Sequence, residues 1–287
     1  LHYAAMVHCP VIGGTLVKIK NKKAIKAMVG VKYLVVMQHG AAVVAVTYWQ
    51  ARKAVDALEV EWDTSVKLAQ YSDENIQADF KIALDQENAE VGFEQGDMQE
   101  QLNRSSRVVR ADYWAPFLAH ATMEPMNCTV RVNETSCEIW TGTQAPDLAQ
   151  KTAAFHLNMK PDQVKVYPVF LGGGFGRRAS HNYVAEAVAI AKAAKVPIKL
   201  IWSREDDMKN DVYRPASMVR FKVTLSSEGR IQGWWVRRVG PNVMSSFLDE
   251  VLDGELAAYL PNKMANWISK LTYPVYNGFK VDHSSIE

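Results

Sequence analysis

Cysteine is scarce in this sequence, and what there is falls in no chemical pattern. Cys9, Cys128 and Cys137 are the three in 287 residues, with no C-x-x-C and no zinc-like spacing, so these residues carry no iron-sulfur cluster or zinc finger of their own. The odd count argues against a disulfide framework and for small buried thiols. An excess of one charge is missing too. Thirty-three Lys and Arg stand against 31 Asp and Glu, net +2, and the basic residues are not interleaved with aromatics along a face, which argues against a nucleic-acid partner. The one local excess, Lys18, Lys20, Lys22, Lys23, Lys26 and Lys32, reads as a solvated surface helix. No run approaches the roughly 20 apolar residues of a membrane span, and no charged leader precedes an apolar core. The compartment stays open between cytoplasm and periplasm. Leu1 already lies within a strand-like run, and the sequence reads as a piece of a longer polypeptide.

What is present suffices for a substantial core: 48% of the residues are hydrophobic, and the length suggests two domains. Residues 1–66 read as a small α/β unit, with short strands at 3–7, 15–19, 31–36, 42–46 and 59–62. Helices are expected at 22–28 and 48–58, the second with Trp49, Ala54 and Leu58 on its inner face. Residues 67–107 are polar and read as a linker around one short helix near 73–85. A second domain spans 108–287. It opens with a hairpin, Cys128–Val132 and Glu138–Thr141 around the turn residues Asn133–Ser136. Pro146 begins a helix with Leu148, Thr152, Phe155 and Met159 in one stripe, followed by a buried strand at 164–171. Ser180 can cap the next helix, whose Tyr183, Val184, Ala187, Val188 and Ala191 face inward. A second hairpin, 219–225 and 231–236, turns at Ser226–Gly229. Strands and helices mixed in this way indicate an α+β or mixed α/β fold.

The stretch around which the chain is organised is Leu171-Gly172-Gly173-Gly174-Phe175-Gly176-Arg177-Arg178. So many glycines are costly to order, which implies close approach to that backbone. A strand, a glycine loop and a helix start place unpaired N–H groups at one point, suited to an anion or an electronegative oxygen. Gly174-x-Gly176-x-x-Ala179 satisfies the dinucleotide fingerprint, which would make the chain an NAD-binding Rossmann dehydrogenase. The acidic residue this requires would be Glu205 or Asp206; Glu205 lies 26 positions beyond Ala179, against the usual interval of about 20. The hairpins also fit a doubly wound parallel sheet poorly.

Gly172–Gly176, with Thr143-Gln144 upstream and Ser203–Met208 downstream, resembles the large subunit of the xanthine dehydrogenase and aldehyde oxidase family of molybdenum hydroxylases. Phe117–Asn127 and the Arg177-Arg178 ending are most similar to the isoquinoline 1-oxidoreductase β-subunit type, which includes aldehyde dehydrogenases. The resemblance covers nearly the whole chain. It implies a hammerhead α/β domain over 1–66 and the first part of a molybdopterin-binding domain over 108–287. The implied reaction is hydroxylation of an N-heteroaromatic ring or an aldehyde with oxygen from water. The implied cofactor is molybdopterin with molybdenum, as the cytosine dinucleotide.

Gln144 would hydrogen-bond a ligand of the metal, Gly173, Gly174, Phe175 and Gly176 would border the pterin, and Phe175 would face the substrate channel. Arg177 and Arg178 stand where xanthine-oxidising relatives have other residues; either arginine could pair with a cofactor phosphate or a substrate carboxylate, with Arg177 counted among the cofactor-binding residues, and a structural ion pair is equally open to both. The family's glutamate base lies in a C-terminal half with no counterpart in these 287 residues, and that half holds most of the cofactor. These residues alone are therefore expected to form one wall of a site, with no catalytic residue or metal ligand, and not to turn over. The implied partners are a small subunit with two-iron, two-sulfur centres and, in some arrangements, a cytochrome c. A non-catalytic assembly domain is the third reading. His120 and Glu124 have helical spacing, but Pro125 disfavours a helix through them. Glu205, Asp206, Asp207 and Asp211 read as a salt-bridged loop.

Overall fold

The computed structural model describes residues 1–66, 71–86, 89–241 and 280–286. The chain begins β1 (His2–His8), β2 (Thr15–Ile19), α1 (Lys22–Ala27), β3 (Val31–Met37), β4 (Gly40–Ala45), α2 (Tyr48–Asp56) and β5 (Val60–Asp63). There follow α3 (Asp73–Leu84), β6 (Glu90–Phe93), α4 (Met98–Arg104), β7 (Arg107–Ala115), β8 (Asn127–Val132), β9 (Cys137–Thr141) and α5 (Pro146–Leu157). The last are β10 (Val164–Pro168), α6 (Asn182–Ala194), β11 (Ile198–Ile201), α7 (Arg204–Lys209), β12 (Ser217–Leu225), β13 (Ile231–Gly240) and β14 (Lys280–Ile286). Residues 242–279, expected within the second domain, lie outside the described residues.

Two compact units emerge. Among the described residues, the first is built from 1–66 and 119–212, the second from the rest. The first unit holds a mixed sheet in the order β10-β9-β8-β11-β1-β4-β3, parallel only at β10/β9 and β1/β11. The units therefore do not follow the linear boundary expected at residue 66: β1, β4 and β3 share a sheet with 119–212, because β1 pairs His2 to Ile198 and Ala4 to Leu200.

Alternation along β1 and β4 explains their unbroken apolar runs, since both faces of this sheet are covered. Ala4, Met6, Ala42 and Val44 join Val130, Ile139 and the inner residues of α5 and α6 in one core. Ala5, Val43 and Ala45 turn the other way, against Ile25 of α1 and Ala51, Ala54 and Val55 of α2. Thr47 caps α2 in a reciprocal bond with Gln50. The expected inner face of α2 is corrected at Trp49, which is 64% exposed. In α5 the buried stripe is Ala149, Thr152, Ala153 and Leu157, and Phe155 turns outward, because small residues let α5 lie close to α6. The α6 stripe is as expected. Its cap is not: a 3-10 turn over Arg177–Ala179 intervenes, Ser180 is extended, and α6 starts at Asn182 after His181.

The second unit holds the order β6-β14-β13-β12-β7, with β12 antiparallel to β13 and to β7. Both hairpins form where turn chemistry placed them; Gly229, at φ +84°, closes the second. The described part of 67–107, expected as a linker around one helix, carries α3, β6, α4 and the start of β7. Phe80, Ala83 and Leu84 of α3 pack on Ala216, Met218 and Val239. Three apolar residues at i, i+3 and i+4 sufficed to seat a helix within a polar background. Among the described residues no helix is long and apolar enough to cross a membrane.

Candidate cofactor site

The glycine loop leaves the edge of the first sheet. β10 stops at Pro168, three residues short of the expected strand, and Phe170 is fully exposed. Gly173 and Gly176 take φ near +96° and +97°, and Phe175 between them takes +54°, a left-handed conformation that costs a non-glycine residue of order 1–3 kcal/mol. Gly174 answers to space: a Cβ there would lie 2.6 Å from Gln144 Oε1. The bonds Arg177 N–H to Gly174 O (2.9 Å) and Ala179 N–H to Gly176 O (3.0 Å) then wind the chain into the 3-10 turn.

Arg178 clamps this loop from below. Its guanidinium is fully buried and donates from Nε to Gly173 O (2.9 Å), from Nη1 to Gly142 O (3.2 Å), and from Nη2 to Glu124 O and Oε2 (2.8 Å each). Glu124 Oε2 also accepts the Gly172 N–H (2.8 Å) and Oε1 the Asn127 amide (2.8 Å). Partial burial would raise the Glu124 carboxyl, but the Gly172 N–H, the Asn127 amide and Arg178 outweigh it and hold it below its ordinary range. Arg178 O in turn accepts from Gln144 N–H and the Thr143 hydroxyl. His181 contacts the same hydroxyl at 2.9 Å. The loop, the 142–144 segment and Glu124 form one bonded block.

Arg177 turns inward as well. Its Nε lies 3.0 Å from Asp211 Oδ1, an ion-pair distance without the alignment of a hydrogen bond, and Nη2 donates to Asn182 Oδ1 (3.1 Å). The guanidinium lies over Trp202 at 5.5 Å and Tyr183 at 5.9 Å. Of the two alternatives for the arginines, the structure shows ion pairs at both. Asp211 accepts from the His120 backbone N–H and meets its Nδ1 at 3.0 Å. His120 and Glu124 thus have separate partners, in a segment that is not helical. The acidic cluster is salt-bridged as expected, although α7 makes part of it a helix: Arg52 pairs with Asp206 and Arg204 with Asp207, each at 2.8 Å. Burial raises the Asp207 carboxyl and Asp211 adds to the rise, against Arg177 and Arg204. Cys9, Cys128 and Cys137 are buried and unpaired as expected; burial pushes Cys128 up, and Cys137 up to about 12.

Two side chains face outward around Gly176. Gln144 is exposed, and its Oε1 accepts the N–H groups of Gly176 (3.1 Å) and Arg178 (3.2 Å). Two donors on one oxygen fix the amide orientation and leave the NH2 free to donate outward. The Gly176 N–H is thereby engaged by Gln144. His120 Nε2 lies 3.6 Å from where a Cβ on Gly176 would stand. With Nδ1 held by Asp211, Nε2 is the ring atom left to meet a ligand. Phe175 is 74% exposed beside them. The structure brings Gln144, Gly174 and Gly176 together, and the partners it gives Arg178, Asp211 and His181 are remote in sequence. Among the described residues no group of three His, Cys, Asp or Glu could hold a metal ion.

A mixed sheet with β10 at its edge departs from a doubly wound order: β11 pairs antiparallel with β8, and Asp206 is engaged with Arg52 and the cap of α7. Sheet and loop define a cofactor-binding module of another kind. Residues 81–245 match the molybdopterin cofactor-binding domain family, and the chain belongs to it. It is 26% identical over 260 residues to the β-subunit of the isoquinoline 1-oxidoreductase of Brevundimonas diminuta, covering 85% of this chain and 33% of that one. It is 30% identical over 198 residues to a membrane-bound aldehyde dehydrogenase of Gluconacetobacter polyoxogenes, covering 68% and 26%. Its fold matches the aldehyde oxidoreductase of Desulfovibrio gigas with TM-score 0.61 at 16% identity over 80% of this chain and 30% of that one. Quinoline 2-oxidoreductase of Pseudomonas putida 86 gives 0.59 at 17%, over 80% and 34%. The chain thus spans about a third or less of the length of these relatives.

Proposed function

We propose that this chain forms one wall of the molybdenum cofactor site in a hydroxylase that oxidises N-heteroaromatic rings or aldehydes. The observation that carries the reading is Gln144: its oxygen is locked by two loop N–H groups, so its NH2 is presented beside a backbone bare of side chains at Gly174 and Gly176. A molybdopterin cofactor would offer acceptors, and the donors presented here would suit it. When bound, that cofactor supplies two-electron oxidation of an electron-poor carbon with oxygen drawn from water.

The chain's residues bind and orient. Gln144 donates to the cofactor, Gly173, Gly174 and Gly176 admit it closely, and Phe175 borders the substrate path. Arg177 and Arg178 hold the loop in shape. Glu124 is engaged by Arg178 and Gly172, so the proton-accepting glutamate is assigned to a part of the protein beyond these residues. In the same reading 1–66 is the hammerhead portion and 108–287 the first part of the molybdopterin-binding portion. The cofactor is assigned as the cytosine dinucleotide. Several relatives are named as subunits, among them one from the nicotinate dehydrogenase of Pseudomonas putida. Such names support a partner subunit, and in this reading that partner carries two-iron, two-sulfur centres, with a cytochrome c as a further acceptor.

The test is elemental and nucleotide analysis of the complete subunit. Stoichiometric molybdenum and released CMP are expected; a metal-free protein that binds NAD tightly would overturn the reading.

A further inference from the structure

The second unit carries a set of charges that the cofactor reading does not use. Strand register places side chains of β7, β12 and β13 in rows on the face that α3 covers. Trp114, Met218 and Val239 form one row, Asp112, Arg220 and Arg237 the next, and Arg110, Lys222 and Trp235 the third. α3 closes the first row through Phe80 and Leu84. α4 approaches the far end, where Met98 Sδ lies 2.7 Å from the position of a Cβ on Gly233. An open depression of about 570 Å³ is lined by Arg110, Ala111, Asp112, Arg220 and Lys222.

The middle row is held by partners. Arg220 forks onto Asp112 with two bonds of 2.8 Å and also meets Asp85, and Arg237 Nη1 donates to Leu84 O (2.7 Å) and Gln86 O (2.6 Å). The third row differs. Arg110 and Lys222 stand directly opposite one another, and among the described residues neither has a carboxylate at ion-pair distance. The Lys222 ammonium lies 4.5 Å from the Trp235 ring centre, with the Arg237 guanidinium 5.1 Å from the same ring. Burial pushes Lys222 down, and Arg110, Arg237 and Arg220 push it further, against a smaller opposing pull from Asp85. Like charges directly opposite destabilise a strand pair, so two cations kept side by side in a concave site call for a counter-charge of two. A phosphate carries about −1.5 to −2 at neutral pH and three acceptor oxygens, and suits the Arg fork and the Lys point charge together.

We propose that this groove binds a phosphate-bearing anion, with Arg110 and Lys222 as its ligands and the Asp112–Arg220 pair as a rigid floor. The experiment is titration calorimetry on the complete subunit at low ionic strength with inorganic phosphate, pyrophosphate and a nucleoside diphosphate. Saturable binding is expected, weakened about tenfold or more in Arg110→Ser and in Lys222→Thr, and unchanged in Arg131→Ser, a surface cation of the first unit. Equal affinity for pyrophosphate and nucleoside diphosphate assigns the phosphate alone, whereas a clear preference for the nucleotide assigns the groove to a nucleotide. Because the two cations repel, both variants should melt at or above the wild-type temperature without ligand, and their molybdenum content should not change. No saturable binding of any probe, or full binding by the double variant, overturns the proposal. The molybdenum reading separates that failure from a failure at the glycine loop.

Discussion

Arg178 in the first unit and Lys222 in the second show two ways of keeping a cation. Arg178 is fully buried and its guanidinium meets three carbonyls and a carboxylate. Lys222 is partly exposed and has Arg110 opposite. A buried charge without partners costs several kcal/mol, so burial imposes pairing. Where water reaches, the penalty is small enough for an unpaired cation to persist and wait for a ligand. Pairing marks a structural cation, and unpaired company marks a candidate for binding.

The comparison breaks most readily at Arg178. Arg178→Met would strand Glu124 and three carbonyls, and a loss of about 3–5 kcal/mol is expected in denaturant unfolding. A loss under about 1 kcal/mol would show Arg178 to behave as a surface cation. Next comes Gly174→Val, whose β-carbon would displace Gln144. Molybdenum per subunit should fall about tenfold while the circular dichroism spectrum is retained, and undiminished metal would refute the close approach.

Two pH effects follow. Burial lowers the His8 imidazole, but Glu186, by charge and by a 2.9 Å bond, raises it more, for a net rise above the ordinary value near 6.5. The folded state therefore binds the proton more tightly. Its contribution is complete below about pH 6 and fades as pH rises through the folded value. His8→Gln should flatten stability between about pH 6 and 8; an unchanged profile would remove His8 as the cause. Glu124 has the opposite sign. Its depressed carboxyl stabilises above the ordinary carboxylate range, and that support is lost as pH falls below about 4. Glu124→Gln should reduce that acid sensitivity, and a wild-type slope in the variant would count against it. The smallest effect is Lys222→Thr, expected to raise stability by about 0.5 kcal/mol. A decrease would mean that Lys222 is paired after all.

Local features were legible in the sequence. Both hairpins, the α6 stripe and the position of the glycine loop follow from turn residues and periodicity within a dozen positions. The misreadings have one origin. Phe155 and Trp49 look like core residues until the neighbouring helix or sheet selects alanines instead. Arg178 reads as half of a dipeptide because Gly142 and Glu124 lie 36 and 54 positions away. Gln144 stands out only through the resemblance its neighbourhood bears to a known family, and the N–H groups of Gly176 and Arg178 that orient its amide lie 32 and 34 positions away.

The place of β1, between β11 and β4, also has a consequence in time. Its parallel partner begins at Ile198, so one edge of β1 stays unmet while nearly two hundred further residues are made. At about 5–20 residues per second that is roughly ten to forty seconds on the ribosome. Until then β11 is not there to pair with β1, and an unmet strand edge of this kind is a template for wrong pairing. The sheet that carries the glycine loop thus closes only when its earliest strand receives its latest.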